Sequence, residues 1–303
     1  MKILVFGFGY SAQHIAARLR ADGVEIAATV RTLAKAERLV RNGIAARVFS
    51  PDDCEPAIVR DIAASDAILV SVPPDASGDP VLAAFADAMA AAPNLRWVGY
   101  LSTVGVYGDR RGEWVDEATP VAPGEPRSRV RALAEQAWLD FGASSGVAVH
   151  LFRLAGIYGP ARNQLAQLAA GTARRVVKPE QVFNRIHVAD IAGVIEASLR
   201  RPRGGAIYNV TDDAPAPPQD VVEFAAQLCG VPVPSEIPFA SAELSPMARS
   251  FFSENKRVRN SLIRSELGVE LRYPSYREGL TALRAEGEGP PAAADQRAPI
   301  PTR

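Results

Sequence analysis

The segment Gly7-Phe8-Gly9-Tyr10-Ser11-Ala12 carries the first recognisable chemistry of the chain, because it has the spacing G-x-G-x-x-A. The first glycine permits a tight turn, the second lets the backbone approach a pyrophosphate, and the small third residue lets a helix pack on the preceding strand. N–H groups of the helix N-terminus would then face the anion. A glycine turn that binds nothing is the alternative, but the position between a strand and a helix favours a dinucleotide site. The expected cofactor contacts in this turn are Gly7, Gly9, Tyr10, Ser11 and Ala12.

The end of the second predicted strand indicates which dinucleotide the turn would hold. NAD sites usually place an acidic residue there, about 20 residues after the glycines, to bind the ribose 2′-hydroxyl. Residues 27–32 contain no carboxylate, and Arg31 with the Thr32 hydroxyl can instead bind a 2′-phosphate. A solvated arginine is the alternative, as for nearby Lys35 and Arg38. We expect NADP to be preferred while NAD remains open, with Val72 at the end of the fourth predicted strand as a further cofactor contact.

Short β-type runs alternate with helical segments through the first half of the chain, which predicts an α/β fold with a doubly wound parallel sheet of the Rossmann type. The predicted strands are Lys2–Phe6, Glu25–Val30, Ala46–Phe49, Ala67–Val72, Trp97–Leu101 and Val147–Phe152. We expect a Rossmann domain over 1–160, completed by parts of 182–210, and a smaller, mainly substrate-binding C-terminal domain over 161–284. Gly, Pro, Ala and charge without periodicity predict a disordered tail over 285–303.

The composition restricts the class of protein further. The 303 residues are 48% hydrophobic and 22% charged, as in globular proteins with a sizeable core. Lys and Arg total 34 and Asp and Glu total 34, so the net charge of +0 gives no field that favours nucleic acid. No apolar run approaches the length of a membrane span, and the distant Cys54 and Cys229 predict neither a disulfide framework nor a zinc site. A cytoplasmic protein without a metal centre is expected.

Further segments, together with the glycine turn, carry a family resemblance. They are Leu101-Ser102-Thr103-Val104-Gly105-Val106-Tyr107-Gly108, Arg153-Leu154-Ala155-Gly156-Ile157-Tyr158-Gly159-Pro160, Asn184-Arg185-Ile186-His187-Val188-Ala189-Asp190-Ile191 and Tyr208-Asn209-Val210. In this order and spacing the chain resembles the extended short-chain dehydrogenase/reductases, also called the NAD-dependent epimerase/dehydratase family. The resemblance implies a Rossmann cofactor domain, a smaller C-terminal substrate domain and an active site in the cleft between them.

The resemblance also implies that a hydroxyl after the fifth strand hydrogen-bonds the reacting oxygen, a role that falls on Thr103 with Ser102 beside it. The family's Tyr-x-x-x-Lys pair, in which the Lys lowers the pKa of a catalytic Tyr, is missing. The trailing Glu135 gives a register with Arg127 at the Tyr position and Arg131 at the Lys position. Arg127 cannot act as acid or base because guanidinium stays protonated, whereas Arg131 can bind cofactor ribose or phosphate. The chain thus resembles an atypical, YeeZ-like branch, with Thr103, Ser102 and Arg131 as candidate catalytic-site residues.

On the substrate side the expected contacts are Tyr158, Asn184, Arg185 and His187. In the family an arginine near Arg185 often meets the phosphates of a nucleotide-linked substrate; a salt bridge with Asp190 or another acid is the alternative. His187 titrates in a range that suits proton transfer, although a structural or substrate-side contact is favoured.

These observations predict an NAD(P)-binding oxidoreductase or epimerase-like enzyme, NADP-preferring, for a small sugar-like or nucleotide-linked hydroxyl or carbonyl substrate. A catalytically silent NADP(H)-binding redox sensor or regulatory protein is the alternative, favoured by the missing Tyr and Lys and opposed by the retained Ser102-Thr103. A homodimer is open, because the family often dimerises through helices of the cofactor domain.

Overall fold

A computed structural model of the chain describes residues 1–50 and 53–291. Its strands are β1 Lys2–Phe6, β2 Glu25–Val30, β3 Ala45–Ser50, β4 Asp53–Cys54, β5 Ala67–Val70, β6 Trp97–Thr103, β7 Trp114–Val115, β8 Ala148–Leu154, β9 Gly156–Tyr158, β10 Arg175–Val177, β11 Arg185–His187, β12 Ala206–Val210, β13 Glu236–Pro238 and β14 Arg257–Val258. Its α-helices are α1 Tyr10–Ala21, α2 Leu33–Arg41, α3 Ala57–Ala63, α4 Pro80–Ala90, α5 Pro126–Ser145, α6 Gln164–Ala169, α7 Val188–Leu199, α8 Pro218–Cys229, α9 Pro246–Phe251, α10 Ser261–Ser265 and α11 Tyr276–Ala285. Val104–Tyr107 and Phe239–Ser241 form short 3₁₀ turns.

The central sheet has the strand order β12-β8-β6-β5-β1-β2-β3-β4. Its first seven strands are parallel, and only the two-residue β4 pairs antiparallel, with β3. Strand order runs outward from β1 in both directions, so the reversal point lies between β1 and β5. In such sheets ligands bind at the carboxyl ends of the strands beside this reversal. The predicted Rossmann-type α/β fold is confirmed.

Both faces of the sheet are covered by helices, and the alternation of side chains along β1 explains why. Ile3 and Val5 enter the core that contains residues of α1 and α7, whereas Leu4 and Phe6 enter the core that contains residues of α3, α4 and α5. A parallel strand buried on both faces is nearly all apolar, as β1 is. The central strands are therefore held by packed side chains on both faces, and their carboxyl ends form a rigid edge of the sheet.

A smaller apolar cluster lies outside the sheet and packs elements of the C-terminal part of the chain together. It includes Tyr158 of β9, Leu165 of α6, Val221 of α8 and Leu280 of α11. Three two-stranded parallel sheets, β9 with β11, β10 with β13 and β7 with β14, connect these elements. Since β7 precedes α5 and β14 follows α9, the last pair joins the two halves of the chain.

The structure differs from the sequence expectation at several bounds. β6 extends to Thr103, so that Ser102 and Thr103 end the strand itself, whereas β5 ends at Val70 and leaves Val72 beyond the strand. Residues 286–291, expected in a disordered tail, are ordered because Glu288 accepts hydrogen bonds from Ala161 N (2.7 Å) and Asn163 Nδ2 (2.5 Å). The rest of that tail, 292–303, lies outside the described residues. Within the described ranges, none of the helices combines the length and apolarity needed to cross a bilayer.

Candidate cofactor and active site

The turn between β1 and α1 leaves open space where the second glycine stands. Gly7 adopts a φ of +84°, and a Cβ there would lie 3.0 Å from Val72 Cγ2 and 3.1 Å from Val72 N. A Cβ on Gly9, by contrast, would meet nothing within 4 Å. Gly9 is the N-cap of α1 and supplies no side-chain acceptor, so the first N–H groups of the helix remain available to an anion. The turn therefore fits a pyrophosphate, with Val72 packed beneath it.

The other predicted residues of the turn hold it in place. Gly7 N donates to Thr29 Oγ1 (3.1 Å) and Phe8 N to Thr29 O (3.1 Å), which fixes the turn to β2. Ser11 and Ala12 are buried against the sheet. Tyr10 reaches across the cleft, where its hydroxyl donates to Pro160 O (3.1 Å).

A basic edge follows β2 beside this turn. Arg31 and Thr32 are exposed, and Thr32 is the N-cap of α2 without using its hydroxyl for capping. Lys35, a solvated residue in the sequence interpretation, donates from Nζ to Phe8 O (2.7 Å) in the glycine turn. Partial burial, together with the charges of Arg38 and Arg31, lowers the pKa of Lys35. Within the described chain none of these three cations forms an ion pair.

Ser102 takes part in a buried polar network rather than facing the cleft. Its hydroxyl donates to Glu135 Oε1 (2.5 Å), and Glu135 accepts from Arg153 Nη2 (2.8 Å) and Nε (3.2 Å). Arg153 Nη1 donates to the Tyr107 hydroxyl (3.0 Å), which donates to Asn209 Oδ1 (2.7 Å). Burial raises the pKa of Tyr107, so this phenol stays protonated and is not an acid poised near neutral pH.

Thr103 lies at the open end of β6 with a second hydroxyl beside it. Thr103 Oγ1 accepts from Gly105 N (3.1 Å), which leaves its own hydrogen available for a ligand. Ser128 of α5, missed from the sequence, places its Oγ 2.8 Å from the position a Cβ on Gly105 would take; Thr103 Oγ1 is 3.4 Å from the same point. The sequence does contain a pattern that points to Ser128, because this serine directly follows Arg127, the residue at the position of the family's Tyr.

The two arginines at the family's Tyr and Lys positions point to different places. Arg131 lies against the end of β6, where Nη1 donates to Leu101 O (2.8 Å) and to the Tyr100 hydroxyl (3.2 Å). Arg127 is exposed and stacks over the Phe251 ring at 4.4 Å from its centroid. Arg131 thus reaches the Leu101 carbonyl, two residues before Thr103 on β6, while Arg127 lies on the exposed surface of α5.

All four residues expected on the substrate side form side-chain hydrogen bonds within the chain. The Tyr158 hydroxyl donates to Ser275 O (3.2 Å). Asn184 donates to Lys256 O (3.0 Å) and accepts from Val258 N (2.9 Å). Arg185 Nη1 donates to Phe183 O (3.0 Å) and Ala216 O (3.1 Å).

The alternative salt bridge between Arg185 and Asp190 is not present. Asp190 instead accepts from the backbone N–H groups of Arg272 (2.7 Å) and Tyr273 (3.1 Å). His187 caps α7 by accepting from Ala189 N (3.2 Å), and its Nε2 is buried without a hydrogen-bond partner in the described chain. Burial, with the charge of Arg272, lowers the pKa of His187 to about 4, so its ring is neutral at pH 7.

Segment 253–258 fastens the C-terminal part of the chain to the loop after Thr103. Lys256 Nζ donates to Gly108 O (2.7 Å) and pairs with Glu254 Oε2 (2.5 Å). Asn255 N donates to Asp109 Oδ1 (2.8 Å), and Asn255 O accepts from the backbone of residues 110 and 112. The loop after Thr103 is thereby held between both halves of the molecule.

A doubly wound sheet, a glycine turn open to an anion and a hydroxyl-bearing strand end define a dinucleotide-binding α/β protein. A statistical model of the NAD dependent epimerase/dehydratase family matches residues 3–211. The chain belongs to this family, whose cofactor class is a nicotinamide dinucleotide.

Three relatives place the chain within the family. Protein YeeZ of Escherichia coli (strain K12) is 30% identical over 286 residues, covering 90% of this chain and 96% of its own. The structure of a functionally unknown conserved protein from Silicibacter pomeroyi DSS is similar with a TM-score of 0.85 and 48% identity, covering 95% of this chain and 99% of that chain. A 3-diazoavenalumate denitrifying reductase of Streptomyces sp is 31% identical over 183 residues, covering 55% of this chain and 58% of its own. The predicted membership, including the likeness to YeeZ, is confirmed.

Proposed function

We propose that the chain is an NADP(H)-dependent oxidoreductase for a small hydroxyl or carbonyl compound, sugar-like or nucleotide-linked. The observation that carries the cofactor choice is the basic edge, where Arg31, Lys35 and Arg38 lie beside the glycine turn without an acidic partner in the described chain. A 2′-phosphate would supply the missing negative charge, whereas a 2′-hydroxyl would not. The Streptomyces relative is by name a reductase, which supports reduction rather than epimerisation.

Each group of residues has a separate task in this proposal. A bound nicotinamide dinucleotide would supply hydride exchange at its ring. The N-terminus of α1 binds the pyrophosphate, and Arg31 binds the 2′-phosphate. Thr103 donates a hydrogen bond to the reacting oxygen of the substrate, and Arg131 orients the ligands at the end of β6.

Titration of NADPH and NADH by calorimetry tests the cofactor choice. The parent protein should bind NADPH more tightly, and Arg31→Ala should weaken NADPH by about 1–3 kcal/mol, the range of a charge-assisted hydrogen bond, with NADH nearly unchanged. Arg41→Ala, an exposed arginine at the far end of α2, is the matched control and should change neither affinity. Equal affinities of the parent for the two cofactors would contradict the proposal.

A catalytically silent NADP(H)-binding sensor is the second candidate, and the orientation of Arg127 favours it. The Arg127 side chain stacks on Phe251 at the exposed surface. Its guanidinium stays protonated near neutral pH, so it cannot replace the family's Tyr as acid or base. Oxidation of NADPH by carbonyl and sugar-nucleotide compounds, followed by loss of near-ultraviolet absorbance, separates the candidates. Tight NADPH binding with no turnover across the panel would favour the sensor.

A further inference from the structure

The loop that follows β9 touches the glycine turn of the cofactor site. Tyr10 is the first residue of α1, at the helix end that a pyrophosphate would occupy, and its hydroxyl donates to Pro160 O (3.1 Å). The Arg162 guanidinium lies 5.5 Å from the centroid of the Tyr10 ring. Burial, together with the charge of Glu288, raises the pKa of Tyr10 against the opposite effect of Arg162, so the hydroxyl keeps its proton and remains a donor. We call residues 159–163 the clasp turn.

The clasp turn has a backbone conformation that needs support from outside. Gly159 and Arg162 exchange two backbone hydrogen bonds (3.0 and 3.1 Å), which close the turn. Ala161 has a φ of +58°, a left-handed conformation that is unfavourable for a residue with a Cβ. Such a conformation persists where the surrounding structure holds it, so the contacts of Ala161 determine how firmly the turn is fixed.

Glu288 supplies this support from the C-terminal end of the described chain. One of its carboxylate oxygens accepts from Ala161 N (2.7 Å), and the other accepts from Asn163 Nδ2 (2.5 Å). Asn163 Nδ2 also donates to Gly159 O (2.8 Å). The carboxylate therefore holds the clasp turn at its tip and at its end.

Glu288 is itself fixed to two helices. It belongs to residues 286–291, which follow α11 and which we call the strap. Arg284 Nη1 of α11 donates to Glu288 O (2.9 Å), so the strap is bound back to the helix that precedes it. A Cβ on Gly289 would lie 2.9 Å from Cys229 Sγ, which shows that the strap also packs closely on the end of α8. The Glu288 carboxylate is thus presented to the clasp turn from a fixed position.

We propose that Glu288 is a positioning residue for the cofactor site, which holds the clasp turn against Tyr10 and thereby slows the exchange of the dinucleotide. This rests on the proposed function, since it requires a dinucleotide at the N-terminus of α1. The bond between Tyr10 and Pro160 joins the glycine turn to the loop after β9, so a dinucleotide that passes between them has to break it. A bond that breaks during passage and forms again afterwards changes the rates of binding and release together and the affinity little.

The two rates test the proposal directly. Stopped-flow fluorescence of NADPH measures binding, and displacement by excess NADP⁺ measures release. Tyr10→Phe, which removes only the hydroxyl, should raise both rates about 3- to 10-fold, the range of one hydrogen bond, with Kd within about 2-fold of the parent. Glu288→Ala should raise them to the same extent, and Glu288→Gln less, because an amide keeps one acceptor oxygen. Glu286→Gln, at an exposed glutamate of the strap, is the matched control and should change neither rate.

The double variant Tyr10→Phe/Glu288→Ala tests whether Glu288 acts through Tyr10. If both residues act on one bond, the double variant should exchange NADPH no faster than Tyr10→Phe alone. Independent effects of the two substitutions, parental rates in Glu288→Ala, or faster release with unchanged binding would each overturn the inference. Melting curves establish that the variants are folded, and Glu288→Gln decides the question if Glu288→Ala is not.

Hydrogen exchange without nucleotide distinguishes failure of the inference from failure of the proposed function. In Glu288→Ala the amides of residues 159–163 and of residues 13–16, in the first turn of α1, should both exchange faster than in the parent, as measured by mass spectrometry of peptides. Faster exchange confined to the clasp turn would overturn the inference. A protein that does not bind NADPH refutes the proposed function, while this comparison still decides whether Glu288 positions Tyr10. A protein that binds NADPH, with parental exchange and parental rates in Glu288→Ala, retains the proposed function and loses the inference.

Discussion

Ser102 and Thr103 are adjacent hydroxyl residues whose environments are opposite. Side chains alternate between the two faces of a strand, so the two hydroxyls at the end of β6 point in opposite directions. Ser102 meets the buried carboxylate of Glu135, and Thr103 meets Gly105 at the start of the 3₁₀ turn. The sequence alone keeps both as candidates for the catalytic site, with the role of the family's hydroxyl on Thr103 and Ser102 beside it.

Substitution of the two hydroxyls should therefore give opposite results. Ser102→Ala should lower the free energy of unfolding by about 1–3 kcal/mol, because Glu135 loses a donor, and leave NADPH affinity unchanged. Thr103→Val should lower kcat/KM for reduction by about 10-fold or more, with Thr103→Ser as the control that keeps the hydroxyl. Denaturant unfolding and steady-state assays measure the two effects. A loss of turnover in Ser102→Ala with stability intact would reverse the roles of the two residues.

Asp212 gives a prediction about alkaline pH. Burial raises the pKa of this carboxyl to about 8, and its Oδ2 has no hydrogen-bond partner in the described chain. The folded state therefore holds a proton that the unfolded chain releases near pH 4, so the group's contribution to stability is fully present below pH 4 and is lost progressively as pH rises from about 4 to 8. Asp212→Asn should be more stable than the parent at pH 9, by on the order of 2 kcal/mol, and the difference should vanish near pH 4. Urea unfolding at several pH values checks this, and a pH-independent difference would contradict it.

At the scale of elements, the β1–α1 turn separates folding from ligand binding. Gly7 is needed for the backbone, because its φ of +84° and the neighbouring Val72 leave no place for a side chain. Gly9 has a φ of −89° and free space around it, so the fold does not require a glycine there. Close approach of the proposed pyrophosphate to the backbone is the role that accounts for a glycine there.

Gly9→Val should thus abolish dinucleotide binding while the protein stays folded, with a cost in stability below about 1 kcal/mol. Gly7→Ala should lower the free energy of unfolding by about 1–3 kcal/mol, since strain and contact with Val72 are added. Calorimetric titration beside melting curves distinguishes them. Retained NADPH binding in folded Gly9→Val would place the cofactor elsewhere.

The elements that sequence reasoning can predict are those whose signal is local. The strands of the sheet are continuous apolar runs, and the turn at Gly7 has its own spacing, so the predicted and observed bounds agree within a few residues. The position of Ser128 beside Thr103 depends on how α5 packs on β6, and no local pattern encodes that packing. The contacts of Asn184 with segment 253–258 were missed for the same reason, because they join residues more than 70 positions apart.

At the scale of the whole molecule, His150 joins separate parts of the main sheet and its helices. It is fully buried on β8, its Nδ1 lies 2.6 Å from Ser198 Oγ of α7, and its Nε2 accepts from Arg203 N (2.8 Å). Trp97 Nε1 of β6 donates to the same Ser198 hydroxyl (3.2 Å). Because Nε2 is an acceptor, the ring is neutral, and burial lowers the pKa of His150 to about 4.

This histidine should make the protein sensitive to mild acid. The unfolded chain binds the proton near pH 6.5 and the folded chain only near pH 4, so the stability present above pH 6.5 is lost as pH falls toward 4. The loss should reach on the order of 3 kcal/mol for His150, and His187 should add to it in the same direction. Urea midpoints between pH 7 and 4 measure the slope, and His150→Gln should reduce it. An unchanged slope in that variant would assign the acid sensitivity to other groups.

Segment 253–258 also fixes the order in which the parts of the cleft can be completed during synthesis. The glycine turn and β2 lie within the first 32 residues and can form early, whereas the Gly108 carbonyl meets Lys256 across 148 positions of sequence. Chains emerge from the ribosome N-terminus first, and contacts of long sequence separation form late. The loop after Thr103 therefore gains its tie to segment 253–258 late in synthesis, after the residues of β12 and α7 that complete the main sheet and the core beneath α1.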